Sequence, residues 1–204
     1  FFFKQKTAYE ISTRDWSSDV CSSDLDFGII PDRLDATRET LRRAAESHDL
    51  IITTGGVSVG EEDHLKPAVL AEGTLEQWQM AIKPGRPSAF GTVRRSDGSS
   101  ALIMGLPGNP VSTLVAYVLC VSTVLRAMQG MDWRLPRALP LRADFDLPRG
   151  DRRREFMRAR LNEAGGLELY PNQSSGVLTS AVWARSEEHT SELQSRVDIS
   201  YAVF

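Results

Sequence analysis

Cysteine is scarce in this chain: of 204 residues only Cys21 and Cys120 carry a thiol, far apart and in unlike surroundings. Two such residues make neither a disulfide framework nor a zinc spacing, so a reducing compartment, the cytoplasm, is expected. A charge excess is missing too, with 24 Lys and Arg against 27 Asp and Glu. No global pull on nucleic acid or anionic membrane follows, neither is expected as a partner, and any anion must be bound locally. No apolar run reaches the roughly 20 residues a bilayer crossing needs. The longest, residues 110–125, is interrupted by Ser112, Thr113, Tyr117, Ser122 and Thr123 and reads as a buried helix. The opening residues 1–6 lack the basic region and apolar core of a secretory signal. What is present is a hydrophobic content of 41%, that of a soluble globular protein with room for one domain and a smaller second.

Composition shifts at both ends. Residues 1–24 carry Ser17-Ser18-Asp19 and Ser22-Ser23-Asp24, and residues 185–204 carry Ser186-Glu187-Glu188-His189-Thr190-Ser191-Glu192. Neither stretch has clean apolar periodicity, and both resemble translated sequencing-adapter strings, a pair of disordered tails being the alternative. Functional reasoning is therefore confined to residues 25–134, expected to form an α/β domain, and 135–184, expected to begin a small β-domain.

Within that span, Asp26-Phe27-Gly28-Ile29-Ile30 reads as a strand, and Asp35 as the N-cap of a helix bearing Leu34, Leu41, Ala44 and Ala45 and ending near His48. Leu50-Ile51-Ile52-Thr53-Thr54 has the unalternating β-branched character of a strand buried on both faces of a parallel sheet. A helix over 62–71 and a strand over 78–82 come next. Asp97-Gly98 predicts a hairpin between 88–94 and 100–104. Pro110 opens the long apolar helix and Gly130 ends it. Two short strands around Asn162-Glu163-Ala164-Gly165-Gly166 complete the pattern.

The chemistry sits in loops. Gly55-Gly56-Val57-Ser58-Val59-Gly60 joins a buried strand to a helix, and its glycines leave backbone N–H groups free to face an oxyanion. It has neither Walker nor dinucleotide-fold spacing, and a purely structural tight turn is the alternative. Glu61, Glu62 and Asp63 follow at once; acidic groups beside a phosphate cradle call for a cation, and Mg²⁺ is the usual one. Asp32, at the end of the preceding strand, is a candidate second ligand. Favourable charge at a helix N-terminus is the preferred reading of Glu62 and the alternative for Asp63, which is read as a metal ligand. Lys83-Pro84-Gly85-Arg86-Pro87 sets two cations on a stiffened stretch, suited to an anion, although solvated loop cations are common. Gly105-Leu106-Pro107-Gly108-Asn109-Pro110 is a rigid strand-to-helix turn in which Asn109 can donate or accept.

In this order and spacing, the runs Thr54 to Asp63, Lys83 to Pro87 and Gly105 to Ser112 resemble the molybdopterin molybdenumtransferases, which include the E domain of gephyrin. Arg153-Arg154-Glu155-Phe156-Met157-Arg158 and Gln173-Ser174-Ser175-Gly176 look like motifs of the family's C-terminal β-domain. The resemblance implies an α/β fold, a three-layer parallel or mixed sheet, with a small C-terminal β-domain, both incomplete here. It implies insertion of molybdate into adenylated molybdopterin with release of AMP, requiring Mg²⁺. Positioning and electrostatics would carry such chemistry. Carried over by motif, Asp32 and Asp63 would serve metal and catalysis, and Lys83 would bind anion. Thr54, Gly55, Gly56, Ser58, Gly60, Glu61, Arg86, Gly108, Asn109, Ser112 and Ser175 would line the cofactor site. Pro107 and Pro110 would shape it, and Arg153 and Arg158 would add positive charge. The chain departs from the pattern at Gln79, where lysine is usual, and at Arg86, where lysine is frequent. A homodimer is implied for the intact parent, with other molybdenum-cofactor biosynthesis proteins as partners, and the chain by itself is expected to be inactive. A molybdopterin adenylyltransferase and a non-catalytic scaffold are the alternatives.

Overall fold

The computed structural model describes residues 2–4, 25–57, 64–132, 140–147, 152–185 and 201–202. In chain order its elements are β1 (Phe2–Lys4), α1 (Leu34–Ser47), β2 (Leu50–Thr54), α2 (Leu65–Glu72), β3 (Gly73–Gln79), β4 (Ile82–Lys83), β5 (Pro87–Arg94) and β6 (Ser100–Leu106). Next come α3 (Pro110–Ala116), a π-helical turn (Tyr117–Val121), α4 (Ser122–Met128), β7 (Arg154–Glu155), β8 (Met157–Leu161), β9 (Leu167–Leu169), α5 (Thr179–Arg185) and β10 (Tyr201–Ala202). The chain divides into two units, Phe1–Met80 with Gly85–Gly108, and Ala81–Pro84 with Asn109–Phe204.

The first unit is built on a mixed sheet of order β1-β2-β6-β5-β3. β1, β2 and β6 run parallel, while β5 is antiparallel to both β6 and β3. The first four residues of β2 are buried, as its unalternating sequence predicts for a central parallel strand. Leu41, Ala44 and Ala45 of α1 and Leu65, Ala68 and Val69 of α2 close over Ile51, Ala89, Val93, Ala101 and Ile103 of the sheet to form one core. Glycine sets the closeness of β3 and β5: a Cβ on Gly91 would lie 2.1 Å from the Thr74 carbonyl oxygen, and one on Gly73 1.7 Å from that of Thr92.

The far end of this unit is bolted by side chains. Arg95 donates from Nε to the Ala45 carbonyl (2.6 Å) and from Nη2 to that of His48 (2.9 Å), satisfying acceptors the end of α1 leaves open. Glu46 in turn accepts from the Ser96 amide and hydroxyl, both at 2.8 Å, pinning the Asp97-Gly98 turn to the helix.

Several expectations need correction in this unit. Residues 26–30 form no strand, and only Gly28 makes a bridge. The Asp26 carboxylate takes the Gly28 amide at 2.7 Å and Gly28 adopts φ +68°, a local turn that competes with any ladder. β1 is the strand beside β2 instead, pairing Phe2–Lys4 with Ile52–Thr54. Arg33, not Asp35, is the N-cap of α1, and Leu34 is exposed. The strand expected over 78–82 starts at Gly73 directly after α2, because only glycine fits against Thr92 there.

In the second unit, α3, the π turn and α4 form one helix, Pro110–Met128, long and apolar enough to cross a membrane by length and composition only. It is buried less than expected: full burial covers Val111, Ser112, Val115, Ala116 and Val121, while α4 is half-buried over its first four residues and exposed after them. A π turn inserts an extra residue, rotating the succeeding helical turns by roughly 100° at 3.6 residues per turn. The buried set of α3 passes on to Val121 in the π turn. Gly130, at φ +68°, ends the helix as predicted.

The β-elements of this unit are a three-stranded sheet, β10-β8-β9, and a parallel pair, β4-β7. Asn162 shapes the expected turn between β8 and β9 by accepting the Ala164 and Gly166 amides on Oδ1 at 3.0 and 2.9 Å. Asp144 packs against Gly166, bound by Arg142 at 2.7 Å and by Asn162 at 2.8 Å. Those bonds, Arg142 first, hold the pKa of its carboxyl at about 2.

Candidate functional site

In the first unit the candidate residues gather where two parallel strands end. β2 and β6 pair in register through Thr54 and Leu106, so Gly55-Gly56 and Pro107-Gly108 leave the sheet side by side. Gly55 and Gly56 adopt φ +81° and +70°, a conformation that costs other residues sterically. The chain thus turns within two residues, and Val57 returns to the core. The Gly55 amide, expected to be free for an anion, donates instead to the Leu106 carbonyl at 2.9 Å, extending the ladder one step. Ser58, Gly60, Glu61, Glu62 and Asp63 lie outside the described residues. Pro107 is buried and Gly108 half-buried.

One polar atom near this edge was not anticipated. The Thr53 hydroxyl, buried opposite Gly105 on β6, has no hydrogen-bond partner. Asp32 is exposed and sits two residues ahead of α1 rather than at a strand end, because the strand it was to terminate is not formed. Arg86 is exposed and donates from Nε and Nη2 to Gln79 Oε1 at 3.2 and 3.0 Å. The two departures from the family pattern are therefore each other's partners.

The second unit gathers the remaining candidates. β4 and β7 pair Lys83 with Glu155 in register, and the Lys83 ammonium reaches the Glu155 carboxylate at 2.8 Å. Glu155 belongs to a recognisable motif but has no role legible in the sequence; only the strand pairing reveals it. Arg153 is half-buried. Arg158, expected to add positive charge to the cofactor site, is 7% exposed. Its Nε donates to Ser180 Oγ and its Nη2 to the Ser174 carbonyl, both at 3.2 Å. Burial pushes its pKa down, and the charge of Glu155 opposes that shift. Asn109, exposed, is the N-cap of α3, Pro110 is its first residue, and Ser112 is buried. Ser175 takes part through its carbonyl, which accepts the Val111 amide at 3.1 Å.

Residues 19–127, more than half of the chain, match the family model described as a probable molybdopterin binding domain. Residues 140–185 match the MoeA C-terminal region, domain IV. The chain belongs to the MoeA and gephyrin family. It is 36% identical over 148 residues to a molybdopterin molybdenumtransferase of Haemophilus influenzae, an alignment covering 71% of this chain and 35% of that protein. Gephyrin of Dictyostelium discoideum is 38% identical over 114 residues, covering 50% of this chain and 16% of the relative. The chain thus spans about a third, or less, of these relatives. A molybdenum cofactor biosynthesis protein from Pyrococcus furiosus shares the fold, with a TM-score of 0.57 and 23% identity over 78% of this chain and 48% of that one.

Proposed function

We propose that this chain serves molybdenum-cofactor assembly, as the core of a cytoplasmic, homodimeric transferase that inserts molybdate into adenylated molybdopterin and releases AMP. One observation carries the reading: paired left-handed glycines, Gly55 and Gly56, end a buried strand beside Pro107-Gly108, within the segment that matches the molybdopterin-binding family. Two glycine-bearing turns at neighbouring strand ends let backbone approach a ligand closely, at the edge where open α/β sheets bind theirs. With the Gly55 amide in the ladder, the Gly56 and Val57 amides would meet the phosphates, with Ser58, Gly60 and Glu61 of the same loop beyond them. Thr54, Arg86, Pro107 and Gly108 would complete the set in the first unit.

In the second unit Lys83 would serve as an anion-binding cation shared with Glu155, and Arg153 would add charge. Asn109, Pro110, Ser112 and Ser175 would shape the wall around the substrate. The division into domains at residues 25–134 and 135–184 belongs to the same proposal, as do other cofactor-biosynthesis proteins as partners.

No three His, Cys, Asp or Glu residues group together among the described residues. Asp32 and Asp63 would hold Mg²⁺ together with the substrate's phosphates, and of the two only Asp32 is among the described residues. The match to the MoeA C-terminal region supports the transferase over an adenylyltransferase.

A protein of the relatives' full length carrying this sequence should release AMP from adenylated molybdopterin only when molybdate is supplied. Asp63→Asn should lower that rate by about 100-fold or more. AMP release indifferent to molybdate would sink the reading.

A further inference from the structure

A buried guanidinium is costly unless its donors are used, so where Arg158 spends them matters. It reaches the Ser180 hydroxyl and the Ser174 carbonyl, both in the segment beyond β9. That segment is held again from the Arg158 backbone, whose amide donates to Gln173 Oε1 and whose carbonyl accepts from Gln173 Nε2, each at 2.9 Å. Ser180 is fully buried and donates onward to the Val177 carbonyl at 2.5 Å, while the Val177 amide donates to the same Ser174 carbonyl at 3.2 Å. Residues 173–180 are thus fixed to β8 by both the side chain and the backbone of one arginine.

A further bond links the fixed segment to α3. The Ser175 carbonyl, next in chain to the carbonyl that Arg158 holds, accepts the Val111 amide at 3.1 Å. Val111 is the second residue of α3, after Pro110, which has no N–H, and Asn109. An amide of the first turn has no acceptor within its own helix, so this external carbonyl determines where the turn sits.

We infer that Arg158 is a positioning residue, acting through Ser174 and Ser175 to hold the Asn109-Pro110 turn, and that it does not itself touch the substrate. This inference rests on the proposed function for its kinetic consequence, though not for the coupling itself. Lysine at 158 keeps the charge but cannot reproduce the two-pronged bond. Ser180→Ala removes one prong at a residue that is too buried to meet any ligand, and is the milder variant should Arg158→Lys fold poorly.

Amide exchange tests the coupling without a ligand. In Arg158→Lys the Val111 amide of this chain should exchange roughly tenfold faster, and in Ser180→Ala by a smaller factor, with the Thr37 amide of α1 unchanged. In the enzyme of full family length, Arg158→Lys should lower kcat roughly tenfold with the KM for molybdate within about twofold. Ser180→Ala should shift kcat in the same direction, and the double variant should be no worse than Arg158→Lys alone. A KM for molybdate raised roughly tenfold or more at unchanged kcat, with Ser180→Ala indistinguishable from wild type, would make Arg158 a ligand and overturn the inference. Unchanged Val111 exchange overturns it whatever the activity. A Val111 response in a protein that releases no AMP at all leaves the coupling standing and removes the transferase reading instead.

Discussion

The two units hold their candidate loops by different means. In the first, backbone conformation and close approach fix the loop: two left-handed glycines, a ladder bond from Gly55 to Leu106, and strands that glycine lets come together. In the second, side chains do it, with Arg158, Gln173, Asn162 and Asp144 each bonded to a turn or to each other. A backbone device tolerates almost no added volume. A side-chain device yields when pushed, and fails when a donor is removed.

The sharpest contrast lies between two glycine substitutions. At Gly91 the added methyl would meet a backbone oxygen at 2.1 Å, so Gly91→Ala has to part β3 from β5 and should cost about 3 kcal/mol or more. At Gly166 the nearest atom, also at 2.1 Å, is a carboxylate oxygen of Asp144. That side chain can swing aside at the expense of its bonds to Arg142 and Asn162, so Gly166→Ala should cost about 1–2 kcal/mol. Denaturant unfolding of both variants checks the order; equal costs would erase the distinction between the units.

A smaller effect, of opposite sign, sharpens the same contrast. The Thr53 hydroxyl is buried without a partner in the strand leading to the glycine loop. Thr53→Val should therefore raise stability by about 1 kcal/mol, measured in the same way. A loss of that size would mean that the hydroxyl holds the loop after all.

This division also explains what could be read from the sequence. Backbone devices leave a local signature: the apolar run 50–54, the glycines after it, Asp97-Gly98, and Pro110 with Gly130 each pointed to the right element. The strand expected at 26–30 failed because one Asx turn, Asp26 to Gly28, outweighed its apolar composition. Beyond Val121 the expected buried helix is only half-buried and then exposed, a difference that apolar composition of the run does not carry.

Side-chain devices are between residues far apart in the chain, and their partners leave no local signature in the sequence. Arg158 was expected to face a ligand, yet it faces Ser174 and Ser180. Lys83, expected to bind an anion, also pairs with Glu155, a residue remote in the chain, through β4 lying along β7. Gln79 and Arg86 were read as separate departures, and their bond depends on the chain folding back between them.

The proposed phosphate site is made by the amides after Gly55. Titrating inorganic pyrophosphate into this chain while monitoring backbone amide shifts tests it most directly. Saturable shifts centred on Gly56 and Val57, weakened by salt and absent from the Asp97-Gly98 turn, are the predicted result. Pyrophosphate that moves the Arg142 and Arg160 region instead, with Gly56 and Val57 still, would contradict it.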